Sequence, residues 1–186
     1  MNSNFEFKDG DLHGVKIIKP FYMEDNRGYF LKSIERDVFK EVGIEADIYE
    51  DFESLSKKDV IRGLHFQTRC PQIKIVRAIR GRIKDVLVDL RKESATFGQS
   101  MAIELSQDNH LSVLVPAGMA HGFRVLSEEA LVSYKCIGKY LKDFDSGIVW
   151  NDKELGIDWG IDEPVVSERD KKHMTFAQFK AEYGGL

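Results

Sequence analysis

The chain has 186 residues, 42% of them hydrophobic and 31% charged, with a formal net charge of −4. This length suits one domain spanning residues 1–186, able to bury a core without disulfide or metal staples, and the acidic balance argues against a broad electrostatic grip on nucleic acid. No stretch approaches the roughly 20 apolar residues that cross a bilayer, and the start MNSNFEFKDGD lacks the basic head and apolar centre of a signal peptide, so the expectation is a cytoplasmic protein with no membrane partner.

In chain order, Glu35 to Val42 (ERDVFKEV) can form two helical turns. The run Val60 to Arg69 (VIRGLHFQTR) is an apolar strand that carries a guanidinium and an imidazole three residues apart. Residues three apart on a strand face opposite ways, so Arg62 and His65 can serve one site only if Gly63 lets the backbone bend or if the strand crosses a cavity wall. From residue 72 to 138, short β-branched and apolar runs are broken by turn signals: QIKIVRAI, Arg80-Gly81, RIKDVLVDL, KESATFGQ, SMAIEL, SQDNH, LSVLV, Pro116-Ala117-Gly118 and ALVSYKCI. Runs of this length and spacing predict an antiparallel sandwich or barrel. Within Arg82 to Leu90 the alternation is clear only at the end, which predicts a strand passing from an exposed edge into a core. Ser167 to Tyr183 is predicted to form a terminal helix with Phe176, Phe179 and Tyr183 on one side. The expected fold is mostly β, a single jelly-roll barrel with short helices, chiefly at the C-terminus.

A barrel interior that carries polar groups needs a reason for them, since buried polar atoms without partners are costly. Arg62, His65, Lys74, His121 and Tyr134 are each embedded in an apolar strand context. Arg62 forks well onto phosphate, and His65 titrates nearest neutral pH, so together they suggest an anion anchor beside a proton-transfer group. Alternation puts Gln72, Lys74 and Val76 on one face; Lys74 fits equally a solvated sheet lysine and a buried cation. Tyr134 fits equally a packed aromatic with its hydroxyl at the surface and a reacting phenol. Ser167-Glu168-Arg169-Asp170 has the spacing of a capping box, yet the Asp170 carboxylate could instead fix the tautomer of His65. One carboxylate can hardly do both.

The five histidines, His13, His65, His110, His121 and His173, form no His-x-His or His-x-x-x-His pair, so no metal is expected. Cys70 and Cys136 lack Cys-x-x-Cys spacing and are expected to be thiols. No Gly-x-Ser-x-Gly elbow, P-loop or dinucleotide-binding Gly-x-Gly-x-x-Gly is present. What is left is acid and base chemistry without a cofactor.

Beyond these readings, the chain resembles the nucleotide-sugar 3,5-epimerases typified by dTDP-4-dehydrorhamnose 3,5-epimerase. The matching segments include Asp25-Asn26-Arg27-Gly28-Tyr29-Phe30, Val60 to Gln67, Lys74-Ile75-Val76-Arg77, Val88-Asp89-Leu90-Arg91, Pro116 to Phe123, Tyr134-Lys135, Trp150-Asn151-Asp152 and Leu155 to Trp159. They run in order from about residue 25 to 170. The resemblance implies a cupin-like jelly roll, a homodimer without metal or nicotinamide, and a nucleotide-diphosphate deoxysugar as substrate. It implies His65 as base, Asp170 as its orienting carboxylate, Tyr134 as acid on the far face and Lys74 as enolate stabiliser. It further implies Arg62 and Tyr140 as diphosphate contacts, Arg27, Gly28 and Phe30 near the nucleotide from a partner subunit, and His121 in support.

The departures cluster. Glu50-Asp51-Phe52-Glu53-Ser54 stands where the family usually reads Gln-Asp-Asn-His-Ser, Gln72-Ile73-Lys74 replaces Gln-Gly-Lys, Lys139 replaces the first of two tyrosines, and Lys32 stands where an acid is common. Glu50 and Lys32 fall among the substrate-binding positions and leave the base and the sugar open. An ammonium at Lys32 could satisfy the bare N3 of cytosine, whereas it cannot accept from thymine, so a cytidine-linked substrate is one alternative and a solvent-facing Lys32 the other. The same chemistry would also serve a 3-epimerase, a 5-epimerase or a ketoisomerase. A binding module that lost its chemistry is the remaining alternative, against which the presence of His65, Lys74, Tyr134 and Asp170 together argues.

Overall fold

The computed structural model describes residues 5–186, and Met1–Asn4 of the polar start lie outside them. The strands before the central barrel run are β1 (Glu6–Asp9), β2 (Lys16–Lys19), β3 (Phe21–Asp25), β4 (Gly28–Lys32) and β5 (Ile48–Lys57). Then come β6 (Val60–Gln67), β7 (Ile73–Arg80), β8 (Arg82–Asp89), β9 (Ser100–Ser106), β10 (Ser112–Val115), β11 (Met119–Val125), β12 (Glu129–Ile137), β13 (Asp145–Gly147) and β14 (Val165–Val166). Helix α1 (Arg36–Glu41) falls within the predicted segment, and α2 (Phe176–Tyr183) ends the chain.

Two sheets face each other, in the orders β1-β2-β10-β7-β12-β5 and β13-β6-β11-β8-β9, with β14 added parallel to β6. Sequence neighbours β6 and β7, and likewise β7 and β8, lie in different sheets, which is the crossing pattern of a cupin-like jelly roll. Residues alternate along each strand, so the layer between the sheets takes every second one: Ala130, Val132, Tyr134 and Cys136 of β12, Val76 and Ala78 of β7, and Ile83 and Leu87 of β8 share this core. The outer faces are covered too. Leu64, Val86, Val88 and Ala120 pack under Trp159, Phe176 and Phe179, while Ile18, Ile75 and Leu114 pack under Phe39 of α1. Two-sided burial explains the blurred alternation of β8, in which Arg82 is exposed and every residue from Asp85 to Asp89 is buried.

The C-terminal expectation needs correction. Ser167 Oγ does accept the Asp170 N–H at 3.0 Å, but only a 3₁₀ turn over Asp170–Lys172 follows. His173, with ψ 159°, is extended, and α2 starts afresh behind Thr175, whose capping box uses Gln178. The cause is tertiary: the Asp170 carboxylate is drawn away to β6. Phe176 and Phe179 of α2 are buried while Tyr183 stays at the surface, and no helix among the described residues is long and apolar enough to cross a membrane.

Candidate active site

The site begins with an irregularity in β6. Opposite β11, His65 pairs with His121 but Arg62 pairs with Phe123, so Gly63 and Leu64 together face Gly122 alone. This bulge resets the alternation. Ile61, Leu64 and Phe66 point to the outer core, whereas Arg62 and His65 line one chamber between the sheets. Gly63 permits it with φ +133°, and a Cβ there would lie 2.6 Å from Gly122 Cα. Gly63→Ala should therefore cost about 3 kcal/mol or more, since overpacking and backbone strain each cost about 1–3 kcal/mol. Denaturant unfolding measures this, and a midpoint equal to that of the parent protein would contradict the bulge.

Once aimed inward, His65 meets Asp170 from the 3₁₀ turn. Nε2 lies 2.9 Å from Asp170 Oδ1, and Oδ2 accepts the Gly63 N–H at 3.1 Å. A carboxylate only accepts, so the proton belongs on Nε2 and the lone pair on Nδ1. Burial lowers the pKa of His65, opposed by Asp170. Burial alone would raise that of Asp170, but the imidazoles of His173 and His65 and the Gly63 N–H hold it well below the usual carboxylate range. The imidazole thus stays neutral and the carboxylate charged near pH 7, the states a general base and its orienting partner need. Of the two readings of Asp170, the dyad is the one present.

Across the chamber stand residues of the other sheet. Lys74 of β7 and Tyr134 of β12 line the same 200 Å³ space as His65, Arg62, His121, Phe52 and Ser54. Lys74 is the inward-facing lysine of its two alternatives: burial lowers its pKa, while Asp145 and Asp85 favour its charge. Burial and the nearby Asp85 push the Tyr134 phenol well above its ordinary value, so it keeps its proton. Its ring stacks on Phe52, centroids 4.9 Å apart and 14° from parallel. The Cys136 thiol, pushed up to about 11 by burial, remains a thiol. His121 Nε2 bonds Asp85 Oδ2 at 2.8 Å, both groups buried, which places His121 beside the site.

Phe52, His65 and Lys74 also line an outer cleft of about 600 Å³, which adds Glu50, Gln72, Tyr140, Asp145 and Arg169. Glu50 is held by Gln72 Nε2 at 2.9 Å. The Tyr140 hydroxyl and Arg169 Nη2 both donate to Asp145 Oδ2, at 2.9 and 2.5 Å. Arg62 is anchored by Ser56 Oγ at 2.8 Å. The β3–β4 residues stand apart from both cavities. Arg27 is paired with Asp25 at 2.6 Å, Gly28 and Phe30 are exposed, and Lys32 is paired with Glu35 at 2.7 Å, so its ammonium already has an acceptor.

Sequence reasoning missed Asp85, Asp145, Arg169, Phe52 and His173. Asp85 had a signal, since its parity with Ile83 and Leu87 turns a lone carboxylate into the core. Phe52 sits on β5 opposite Tyr134, and the others come from segments distant in sequence, so no local pattern marks them. One such assembly is His65, Asp170 and His173, whose donor atoms lie within 4.8 Å of one another; no His-x-His pattern could announce it.

The family described as dTDP-4-dehydrorhamnose 3,5-epimerase matches residues 9–178. A protein of that name from Methanothermobacter thermautotrophicus is 45% identical over 172 residues, 91% of this chain and 93% of that one. The crystal structure of dTDP-4-dehydrorhamnose 3,5-epimerase from Elizabethkingia anophelis superposes with TM-score 0.89 at 40% identity, covering 94% of this chain and 97% of the other. The Legionella pneumophila dTDP-6-deoxy-D-glucose-3,5-epimerase, solved in complex with dTDP-4-keto-L-rhamnose, gives 0.92 at 36% identity, covering 97% of each chain.

Proposed function

The chain belongs to the dTDP-4-dehydrorhamnose 3,5-epimerase family, and from that premise we propose that this isomerase inverts C3 and C5 of a dTDP-linked 4-keto-6-deoxy sugar using side chains alone, all within one domain. The observation that carries this reading is that His65 comes from one sheet, Lys74 and Tyr134 from the other, and all three line one chamber. Epimerisation beside a ketone needs just such a division: a base on one face of the ring, an acid on the other, and a positive group where the enolate oxygen gains charge.

In the proposed sequence His65 Nδ1 takes the proton from the carbon flanking the ketone, and Asp170 steadies the imidazolium that results. Lys74 stabilises the enolate oxygen. Tyr134 then donates its hydroxyl proton to the opposite face of the same carbon; His65 gives the proton it took to solvent and Tyr134 regains one from solvent, and with both groups reset, repetition at the second carbon gives the doubly inverted sugar. Tyr140 and Arg169 in the outer cleft, with Arg62, suit the diphosphate. Free thiols at Cys70 and Cys136 are in keeping with a cytoplasmic enzyme.

The pairing of Lys32 with Glu35 favours a thymidine-linked substrate over the cytidine-linked alternative. Turnover of dTDP- and CDP-linked 4-keto-6-deoxyglucose tests this: the dTDP sugar should be converted at the higher kcat/KM, equally by Lys32→Ala. Preference for the CDP sugar, lost in that variant, would overturn it.

A homodimer is part of the proposal. Hairpin β3–β4 pairs with no other strand among the described residues and leaves Met23, Tyr29 and Phe30 at 58%, 54% and 59% exposure. A lone two-stranded hairpin is marginal in water and such a patch calls for a cover; a second subunit's cleft supplies one and would bring Arg27 and Phe30 near the nucleotide. Sedimentation should give an active dimer, and a fully active monomer would remove the hairpin from the site.

A further inference from the structure

Behind the His65–Asp170 pair stands an imidazole that the proposed reaction does not use. His173 follows the 3₁₀ turn that carries Asp170, and residues three apart eclipse in such a turn, which sets its ring beside the carboxylate. The ring occupies a seat that only glycine leaves open: a Cβ on Gly147, the residue paired with His65, would lie 2.5 Å from it. His173 Nε2 is closed off from solvent and lies 3.4 Å from Asp170 Oδ1, near enough to favour that carboxylate's charge but without the geometry of a hydrogen bond. A buried ring nitrogen left unpaired is costly and calls for an explanation.

We propose that His65, Asp170 and His173 form an inhibitory Zn²⁺ site. Two imidazoles and a carboxylate are a zinc donor set, with a fourth position for water. Zinc–ligand bonds of about 2.0–2.1 Å in a tetrahedron place donors roughly 3.3 Å apart, and the two pairs through Asp170 Oδ1, at 2.9 and 3.4 Å, bracket that value. All three donor atoms lie within 4.8 Å. His65 is 30% exposed and lines both cavities, while His173 lines a separate cleft with Gly147 and Met174.

Inhibition follows from the tautomer. In the active form Nε2 carries the proton and Nδ1 the lone pair; with the metal on Nε2, the neutral ring must carry its proton on Nδ1. No proton leaves the ring, but the nitrogen that would abstract one from the sugar no longer can. Only this inhibitory half rests on the proposed function, because metal binding is read without substrate.

The test titrates the purified protein with Zn²⁺ by calorimetry and with Co²⁺ by visible absorption, and measures epimerisation across the same concentrations. One Zn²⁺ should bind per chain, Co²⁺ should give the intense visible bands of four-coordination, and activity should fall with occupancy and return with EDTA. His173→Gln should weaken both binding and inhibition about tenfold or more. Equal zinc response in His173→Gln, activity undiminished at full occupancy, or no such Co²⁺ bands in the parent protein would each overturn the proposal. One-site binding by a protein inert toward the keto sugar would overturn the proposed reaction and leave the metal site standing.

Discussion

His65→Asn should abolish proton exchange at every carbon of the keto sugar while leaving dTDP affinity nearly unchanged. Asparagine keeps a polar group near Asp170 but cannot accept a proton at neutral pH. Loss of a general base costs on the order of 10²–10⁴ in rate, and neither Tyr134 nor Cys136 can replace it, since both are held protonated. His65 acts on the sugar proton and not on the phosphates in the proposed reaction, so the loss should appear in kcat and not in the dissociation constant of dTDP. In the parent protein, burial keeps the titration of His65 below its ordinary value of 6.5. Activity should thus rise with pH through a midpoint under that value and then level off. Appreciable exchange in the variant would refute the assignment.

Tyr134→Phe should separate two steps that His65→Asn removes together. Deprotonation needs the base and the enolate stabiliser, and both survive; what is lost is the proton donor on the opposite face. The ring keeps its stack on Phe52, so the packing cost is small. Inversion should fall by two orders of magnitude or more, on the order expected for loss of a general acid, while solvent deuterium still enters the recovered sugar with its configuration retained. Equal loss of exchange and inversion, measured by NMR on one sample, would show that Tyr134 is not a dedicated acid.

Much of this architecture is legible in the residues because strand alternation is a local signal. The runs from 72 to 138 become strands β7 to β12, and the parity of Gln72, Lys74 and Val76 does turn Lys74 inward. The bulge at Gly63 is legible only in part: glycine permits a bend, but that two residues would face Gly122 depends on β11, some sixty positions away. Asp170 shows the opposite failure. Its local pattern is a valid helix start, and Ser167 does bond its N–H, yet a charge-assisted contact with His65 and the Gly63 N–H outweighs a cap worth about 1 kcal/mol. The terminal helix is displaced to Phe176 as a consequence. Asp85 could have been found from its parity. His173 could not, because its neighbours Gly147 and His65 come from β13 and β6.

The central claim is that a base on one sheet and an acid on the other act on one sugar ring. Incubating dTDP-4-keto-6-deoxyglucose with the protein in D₂O and reading deuterium by NMR and mass spectrometry tests it most directly. The account predicts deuterium at both C3 and C5 with both configurations inverted. Incorporation at one carbon only would reduce the enzyme to a single-site epimerase, and a sugar recovered without deuterium would contradict the account.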